Sequence, residues 1–215
     1  MLTVITPRRV VTALFATALL ITAPAMVAPA AHANDTTPTA SSYPNPLTIP
    51  ASGVFTFTTS PGILTTWEAS GISVIGIAPG SVITSSQSLN ARITLPVVAK
   101  TGTANATAGG FRLLNTKTGE SVRCQVPTVD TRARLVECIL ADGSRDLFFV
   151  ITDIAAKLRL SDGTEMTTFF RGIDLSFVDA ASASKLNQAL RTNVFSASVS
   201  VARGEMEVTR VIPRS

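Results

Sequence analysis

Apolar and polar residues alternate one by one over much of the chain beyond residue 46, the pattern of β-strands with one buried face. Val54–Thr58 and Ile173–Phe177 alternate most regularly, and Arg92–Val97 and Phe195–Val201 follow the same period. Each of these segments is predicted to form a strand. Pro96 cannot donate to a strand ladder, so its strand is predicted to lie at a sheet edge or to carry a bulge.

One segment is apolar at every position. Leu147–Ile151 reads LFFVI and predicts a central strand that is buried on both faces. In such a strand the adjacent rings of Phe148 and Phe149 would point to opposite faces, and the same holds for Phe169 and Phe170. An alternative interpretation of these rings is the lining of an apolar ligand cavity between sheets.

Beyond Asp153 the alternation returns. Leu158 and Leu160 are predicted to face inward because they are apolar, and Lys157 and Arg159 are predicted to face outward.

Short turn sequences separate the strand-like segments, and four of them predict hairpins. They lie at residues 115–119, 142–144, 161–163 and 203–204. Thr101–Gly110 consists mostly of small residues and predicts a loop. Helices are predicted over 61–69 and from Asp179 to about Arg191, with Asn193 in the left-handed conformation. About ten short strands with one or two short helices predict an all-β protein, either an antiparallel β-sandwich or a barrel-like fold.

Residues 1–33 have the organisation of a secretory signal peptide. Arg8 and Arg9 precede an apolar run over 10–27, and Ala31-His32-Ala33 is a small-x-small cleavage pattern. Cleavage is predicted between Ala33 and Asn34. An uncleaved membrane anchor is the alternative, because the apolar run is almost long enough to span a bilayer. The expected location is therefore the culture fluid or the cell envelope.

The remaining chain is predicted to comprise a disordered spacer over 34–46, rich in Thr, Ser and Pro, and a single β-sandwich domain over 47–215. No later apolar run predicts a transmembrane segment. The signal peptide holds two of the 18 basic residues and none of the 14 acidic ones, so its removal lowers the net charge from +4 to +2. With this small charge and no interleaved aromatic residues, no nucleic-acid partner is expected.

Few side chains are available for catalysis or metal binding. The single His is His32, in the signal peptide, so a catalytic triad has no His base and no cofactor is predicted. Two pairs of carboxylates are close in sequence, Glu205 with Glu207 and Asp142 with Asp146. They fit a solvated strand face and a turn, and we expect no enzyme. A hydrolase that works with carboxylates alone is retained as an alternative.

The order of segments over about 70–210 resembles an uncharacterised family of exported actinobacterial proteins. The matching segments are Gly71–Val74, Ile77–Gly80, Ile93–Val97, Gly109–Leu113, Val126–Asp130 and Ala183–Thr192 followed by Val194-Phe195. This resemblance implies an exported all-β domain without catalytic residues to transfer.

The sequence is also similar, more loosely, to the haem-uptake domains of corynebacteria. That similarity again implies an exported β-rich module. Those domains use a Tyr and a His around the haem iron, whereas here Tyr43 lies in the spacer and His32 in the signal peptide.

The two cysteines, Cys124 and Cys138, are predicted to form a disulfide, because exported proteins with an even number of cysteines usually oxidise them. Apolar residues share a strand face with each cysteine. The predicted hairpin sets Cys124 opposite Cys138, Val126 opposite Val136 and Val122 opposite Leu140, with Gln125 across from Glu137 on the outer face.

Four arginines form a candidate basic patch for an anionic lipid or cell-wall polymer: Arg123, Arg132, Arg134 and Arg145. Alternation places Arg123 outward, opposite in facing to Cys124. The function predicted from sequence is a binding or structural role with an unidentified target. A carrier of a lipid or other apolar ligand is the first alternative, and a closed cavity above ~300 Å³ lined by Phe and Leu would support it.

Overall fold

The computed structural model describes residues 48–85, 87–197 and 199–212, which form eleven strands and two helices. In chain order the elements are β1 (Thr48–Thr59), α1 (Ile63–Ala69), β2 (Ile72–Ile77), β3 (Ser81–Ser85), β4 (Asn90–Thr101), β5 (Ala104–Thr107), β6 (Gly110–Asn115), β7 (Ser121–Asp130), β8 (Leu135–Ile139), β9 (Arg145–Ser161), β10 (Glu165–Phe177), α2 (Ala180–Ala189) and β11 (Ser200–Val211). The predicted signal peptide, the Ala33–Asn34 cleavage site and the spacer lie outside the described residues.

The antiparallel sheet closes into a barrel of eight strands, so the barrel-like form of the predicted all-β fold is confirmed. The barrel strands follow the order β7-β5-β4-β1-β11-β10-β9-β8, and β8 pairs with β7 to complete the ring. The first half of β7 pairs with β6, which in turn pairs with β2, and β3 pairs with the first half of β4. These three extra strands extend the wall at one end of the barrel.

The two ends of the barrel differ. At one end, α1 follows β1 and α2 connects β10 to β11; we call this the helix end. At the opposite end, which we call the turn end, lie the β4–β5, β7–β8 and β9–β10 connections. Among the residues described, no helix is long and apolar enough to cross a membrane.

Aromatic rings fill the barrel towards the helix end. Phe57 lies 5.8 Å from Phe111, and Phe149 lies 5.5 Å from Phe177, measured between ring centroids. Phe195 continues this contact chain to Trp67 of α1. These rings are almost fully buried, and each buried aromatic side chain contributes ~1.5–3 kcal/mol relative to an exposed one. The helix end is therefore closed by packing.

Both predicted helices are present, with shifted limits. The helix predicted over 61–69 begins at Ile63, because Gly62 is its N-cap with φ 80°. In α2 the Asp179 carboxylate accepts a hydrogen bond from Ser182 N at 2.7 Å, which is the predicted cap. The left-handed residue after α2 is Arg191, with φ 49°, and not Asn193.

The disulfide between Cys124 and Cys138 is present, with a Cα–Cα distance of 4.9 Å. The predicted register around it is wrong, because Val136 faces Val129 instead of Val126, and Gln125 faces Ile139 instead of Glu137. A bulge between Gln125 and Thr128 causes the shift: Val126 has φ 44°, is exposed and donates its N–H to Gly109 O.

The apolar segment Leu147–Ile151 is not buried on opposite faces as predicted. Val136 pairs with Phe149 and Glu137 with Leu147, which leaves Phe148 as an extra residue in a bulge. Both rings consequently enter the same aromatic cluster, 4.9 Å apart. Phe169 and Phe170 follow the prediction more closely, since Phe170 is buried and Phe169 is only partly covered.

Two sequence predictions fail around β11. Phe195 precedes the strand, because the Asn187 side chain donates to Phe195 O and accepts from Phe195 N, which replaces strand pairing. The hairpin predicted at Arg203-Gly204 lies inside β11. A Cβ at Gly204 would come 2.8 Å from Thr56 O, so this glycine permits close approach of β1.

The first half of the chain holds one further difference and settles one open alternative. The stretch Thr101–Gly110 is not only a loop, because β5 lies within it and pairs with β4 and β7. Pro96 lies inside the barrel wall, beside a bulge between Val97 and Ala99. The bulge alternative predicted from sequence is thus the correct one.

The disulfide is expected to stabilise the closed barrel. Replacement of both Cys124 and Cys138 by Ala should lower the free energy of unfolding by about 3 kcal/mol, because the bond closes a loop with a sequence separation of 14. Guanidinium unfolding of the oxidised protein and the double variant measures this difference. A reductant should shift the transition of the wild-type protein but not that of the variant; equal transitions for both proteins would contradict the prediction.

Candidate functional site

A cleft of about 580 Å³ opens at the turn end of the barrel. Its volume lies within the range usual for small-molecule sites. Five cationic residues line it, Lys100, Arg132, Lys157, Arg159 and Arg210, and its apolar lining consists of Ile154, Met166, Phe170 and Val208. Thr103, Asn105, Thr131 and Thr168 complete the lining. We call this site the basic cleft.

The pairing of β9, β10 and β11 brings the cations into rows across the sheet. Lys157 lies opposite Phe170, which lies opposite Met206. One row nearer the turn end, Arg159 lies opposite Thr168. In the last row Met166 lies opposite Arg210. The interior therefore changes from apolar to cationic towards the turn end.

These rows reverse the facing predicted from sequence for this part of β9. Leu158 and Leu160 are 56% and 54% exposed, and Lys157 and Arg159 line the cleft. Alternation identifies two faces but does not say which one is enclosed. The prediction assumed an apolar interior along the whole barrel, and this assumption fails at the turn end.

The cations of the basic cleft have no carboxylate partners among the described residues. The ion pairs of the described residues all involve cations outside the cleft. They are Arg145 with Glu137, Arg171 with Glu205, Lys185 with Asp146, Arg191 with Glu120 and Arg203 with Asp174. The cleft thus concentrates positive charge that no ion pair within the described part of the chain neutralises. Such a field attracts anions.

Electrostatic crowding is evident at Lys100. Burial lowers the pKa of its ammonium, and the positive charges of Arg210 and Lys157 lower it further. The negative charge of Asp130 raises the pKa of Lys100 and so opposes these effects. An anion placed among these cations would relieve the repulsion and favour protonated Lys100.

Asp130 is held by the turn that borders the cleft. Burial would raise the pKa of this carboxyl, but hydrogen bonds from Ala133 N, Thr103 Oγ1 and Arg132 N outweigh it, so the pKa is lowered. The carboxylate is thus occupied by the β7–β8 turn and by Thr103 of the β4–β5 turn. It fixes the two turns at the mouth of the cleft.

Two buried polar atoms of the cleft residues have no hydrogen-bond partner in the described structure, Asn105 Oδ1 and Arg210 Nε. Asn105 is 1% exposed, and its Nδ2 donates to Val129 O at 3.4 Å. Buried polar atoms of this kind are costly when they stay unpaired. An acceptor and a donor are therefore both available to a bound molecule.

The structure does not place the four predicted arginines in one site. Arg132 lines the basic cleft. Arg123 is exposed, as predicted, and lies opposite Arg112 in a separate shallow cleft. Arg134 donates to Thr152 O, and Arg145 pairs with Glu137. The sequence analysis missed four other cations of the cleft, because they lie on distant strands that only barrel closure brings together. They are Lys100, Lys157, Arg159 and Arg210.

The other candidate sites receive little support. The space among Phe57, Trp67, Phe111 and Phe149 is about 10 Å³, too small for a ligand, so the Phe-lined cavity expected of an apolar carrier is absent from this cluster. In the carboxylate pair Glu205 and Glu207, Glu205 forms an ion pair with the exposed Arg171. No group of three or more His, Cys, Asp or Glu side chains suited to a metal ion occurs within the described residues.

Comparison with known proteins adds a structural neighbour. No protein-family model and no curated protein matches the chain. Among solved structures, the haem-binding protein HtaB from Corynebacterium glutamicum matches with a TM-score of 0.44 and 11% identity. The match covers 77% of this chain and 98% of that chain. A likeness at this level does not indicate a function for this chain.

Crowding at Lys100 is expected to be visible in its titration. NMR of the protein labelled at the lysine side chains should show that Lys100 loses its proton at a pH below its ordinary pKa of 10.5, and the Lys100→Arg variant identifies its resonance by lacking it. Since the pKa is lowered in the folded state, protonation of Lys100 opposes folding. Its contribution to stability therefore increases as pH rises from the lowered pKa to 10.5. Titration of Lys100 at or above 10.5 would contradict this account.

Proposed function

We propose that this protein is an exported, non-catalytic binding protein that holds an anionic amphiphile in the basic cleft. The observation that carries the proposal is the set of five cations without carboxylate partners around an apolar cleft bottom. Charge-assisted hydrogen bonds from such cations are about twice as strong as neutral ones, so an acidic head group gains most from this site.

The apolar residues argue for an amphiphile over a simple anion. Ile154 and Met166 of the cleft lining are only partly buried, next to the almost fully buried Phe170, whose ring centre lies 5.1 Å from the Lys157 ammonium. A ligand with an alkyl or ring portion would cover this surface while its acidic group contacts the cations. An anionic cell-wall polymer would use the charges but would leave the apolar bottom unused.

Binding can be tested with amphiphiles that share a chain and differ in charge. Calorimetry below the micelle concentration should show that dodecyl phosphate binds, whereas dodecyltrimethylammonium and dodecyl maltoside bind at least about tenfold more weakly, since one charged hydrogen bond contributes ~1.5–3 kcal/mol. Inorganic phosphate should also bind more weakly than dodecyl phosphate. Equal affinity for the three dodecyl compounds, or for the two phosphates, would overturn the proposal.

Charge variants locate the binding site. The double variant Lys157→Gln/Arg159→Gln should lose at least about tenfold of the affinity for dodecyl phosphate because it removes two cations from the cleft. Its matched control is Arg171→Gln/Lys185→Gln, which removes the same charge from exposed ion pairs. Equal losses in the two variants would show that net charge, and not the cleft, attracts the ligand.

A further inference from the structure

The orientation of the Asn105 side chain defines a second requirement on the ligand, and this inference rests on the proposed function. The side chain is enclosed between β4 and β7, where Asn105 lies opposite Lys100 and Val129. Its Nδ2 donates to Val129 O, so rotation of the amide by half a turn would set two oxygens against each other. Oδ1 is thereby kept as an acceptor without a partner in a residue that lines the cleft.

The cleft also supplies an unpartnered donor. Arg210 Nε is buried without an acceptor, and Arg210 lines the same cleft from β11. A hydroxyl group both donates and accepts hydrogen bonds, so ligand hydroxyls can serve either of these two atoms. An ammonium would also donate to Asn105, but the five surrounding cations repel it.

We propose that Asn105 Oδ1 accepts a hydrogen bond from a hydroxyl of the bound ligand, so that the cleft selects anionic amphiphiles with a hydroxylated head group. The acidic group contacts the cations, the apolar part covers the bottom of the cleft, and the hydroxyl satisfies the buried amide oxygen. A head group of the same charge without a hydroxyl would leave this oxygen unpaired. It would bind about tenfold more weakly, because an unpaired buried acceptor costs ~1–3 kcal/mol.

Two phosphodiesters test this selectivity. Dodecyl glyceryl phosphate and dodecyl propyl phosphate carry the same chain and the same single negative charge, and only the first has hydroxyls on its head group. Calorimetry with the wild-type protein should show about tenfold tighter binding of the glyceryl compound. Equal affinities would overturn the inference, because water or a protein group would then donate to Asn105 Oδ1 in both complexes. The proposed function would stand in that case. Failure of both compounds to bind would overturn the proposed function and the inference with it.

Variants assign the selectivity to Asn105. Asn105→Leu should bind both compounds with similar affinity, whereas the preference should persist in Thr107→Val. Thr107 is a matched control, because it is also buried on β5 but its hydroxyl already donates to Pro127 O at 2.8 Å. A preference that survives in folded Asn105→Leu would contradict the assignment. Should that variant fail to fold, the comparison of the two ligands with the wild-type protein still decides the inference.

Discussion

Thr128–Asp130 at the end of β7 pair with β5 on one side and with β8 on the other, and this double pairing closes the barrel. On the side where β5 lies, the first half of β7 pairs with β6, and the register of β7 against β8 shifts between Gln125 and Thr128. The bulge at Val126 provides that shift. Closure has a direct consequence for function, because every inward side chain must then be packed, paired or exposed to an enclosed ligand site.

The barrel meets this constraint differently at its two ends. At the helix end, large aromatic side chains pack against one another, and the space among Phe57, Trp67, Phe111 and Phe149 is only about 10 Å³. At the turn end the inward positions carry long cationic side chains, which line a cleft of about 580 Å³. The disulfide between Cys124 and Cys138 links the two strands whose pairing completes the ring.

Local patterns in the sequence predicted the all-β class, both helices, the Asp179 cap and the cysteine pair. They failed where a residue's role depends on distant strands. Alternation in β9 correctly separated Leu158 from Lys157 but assigned the wrong one to the interior, because facing is fixed by barrel closure and not by polarity. Bulges at Val126 and Phe148 are not visible in a period-two pattern, and each changes which neighbours a strand meets. The basic cleft was missed for the same reason, since its cations lie on β4, β9 and β11 and in the turn after β7.

The proposed function requires that the turn end of the barrel holds an anionic amphiphile. Native mass spectrometry of the protein purified from its natural source shows whether such a ligand is bound. The account predicts a noncovalent adduct that organic solvent releases and that negative-ion analysis identifies as an acidic molecule with an apolar portion. Recovery of the protein without a ligand, or with a neutral or cationic one, would contradict it.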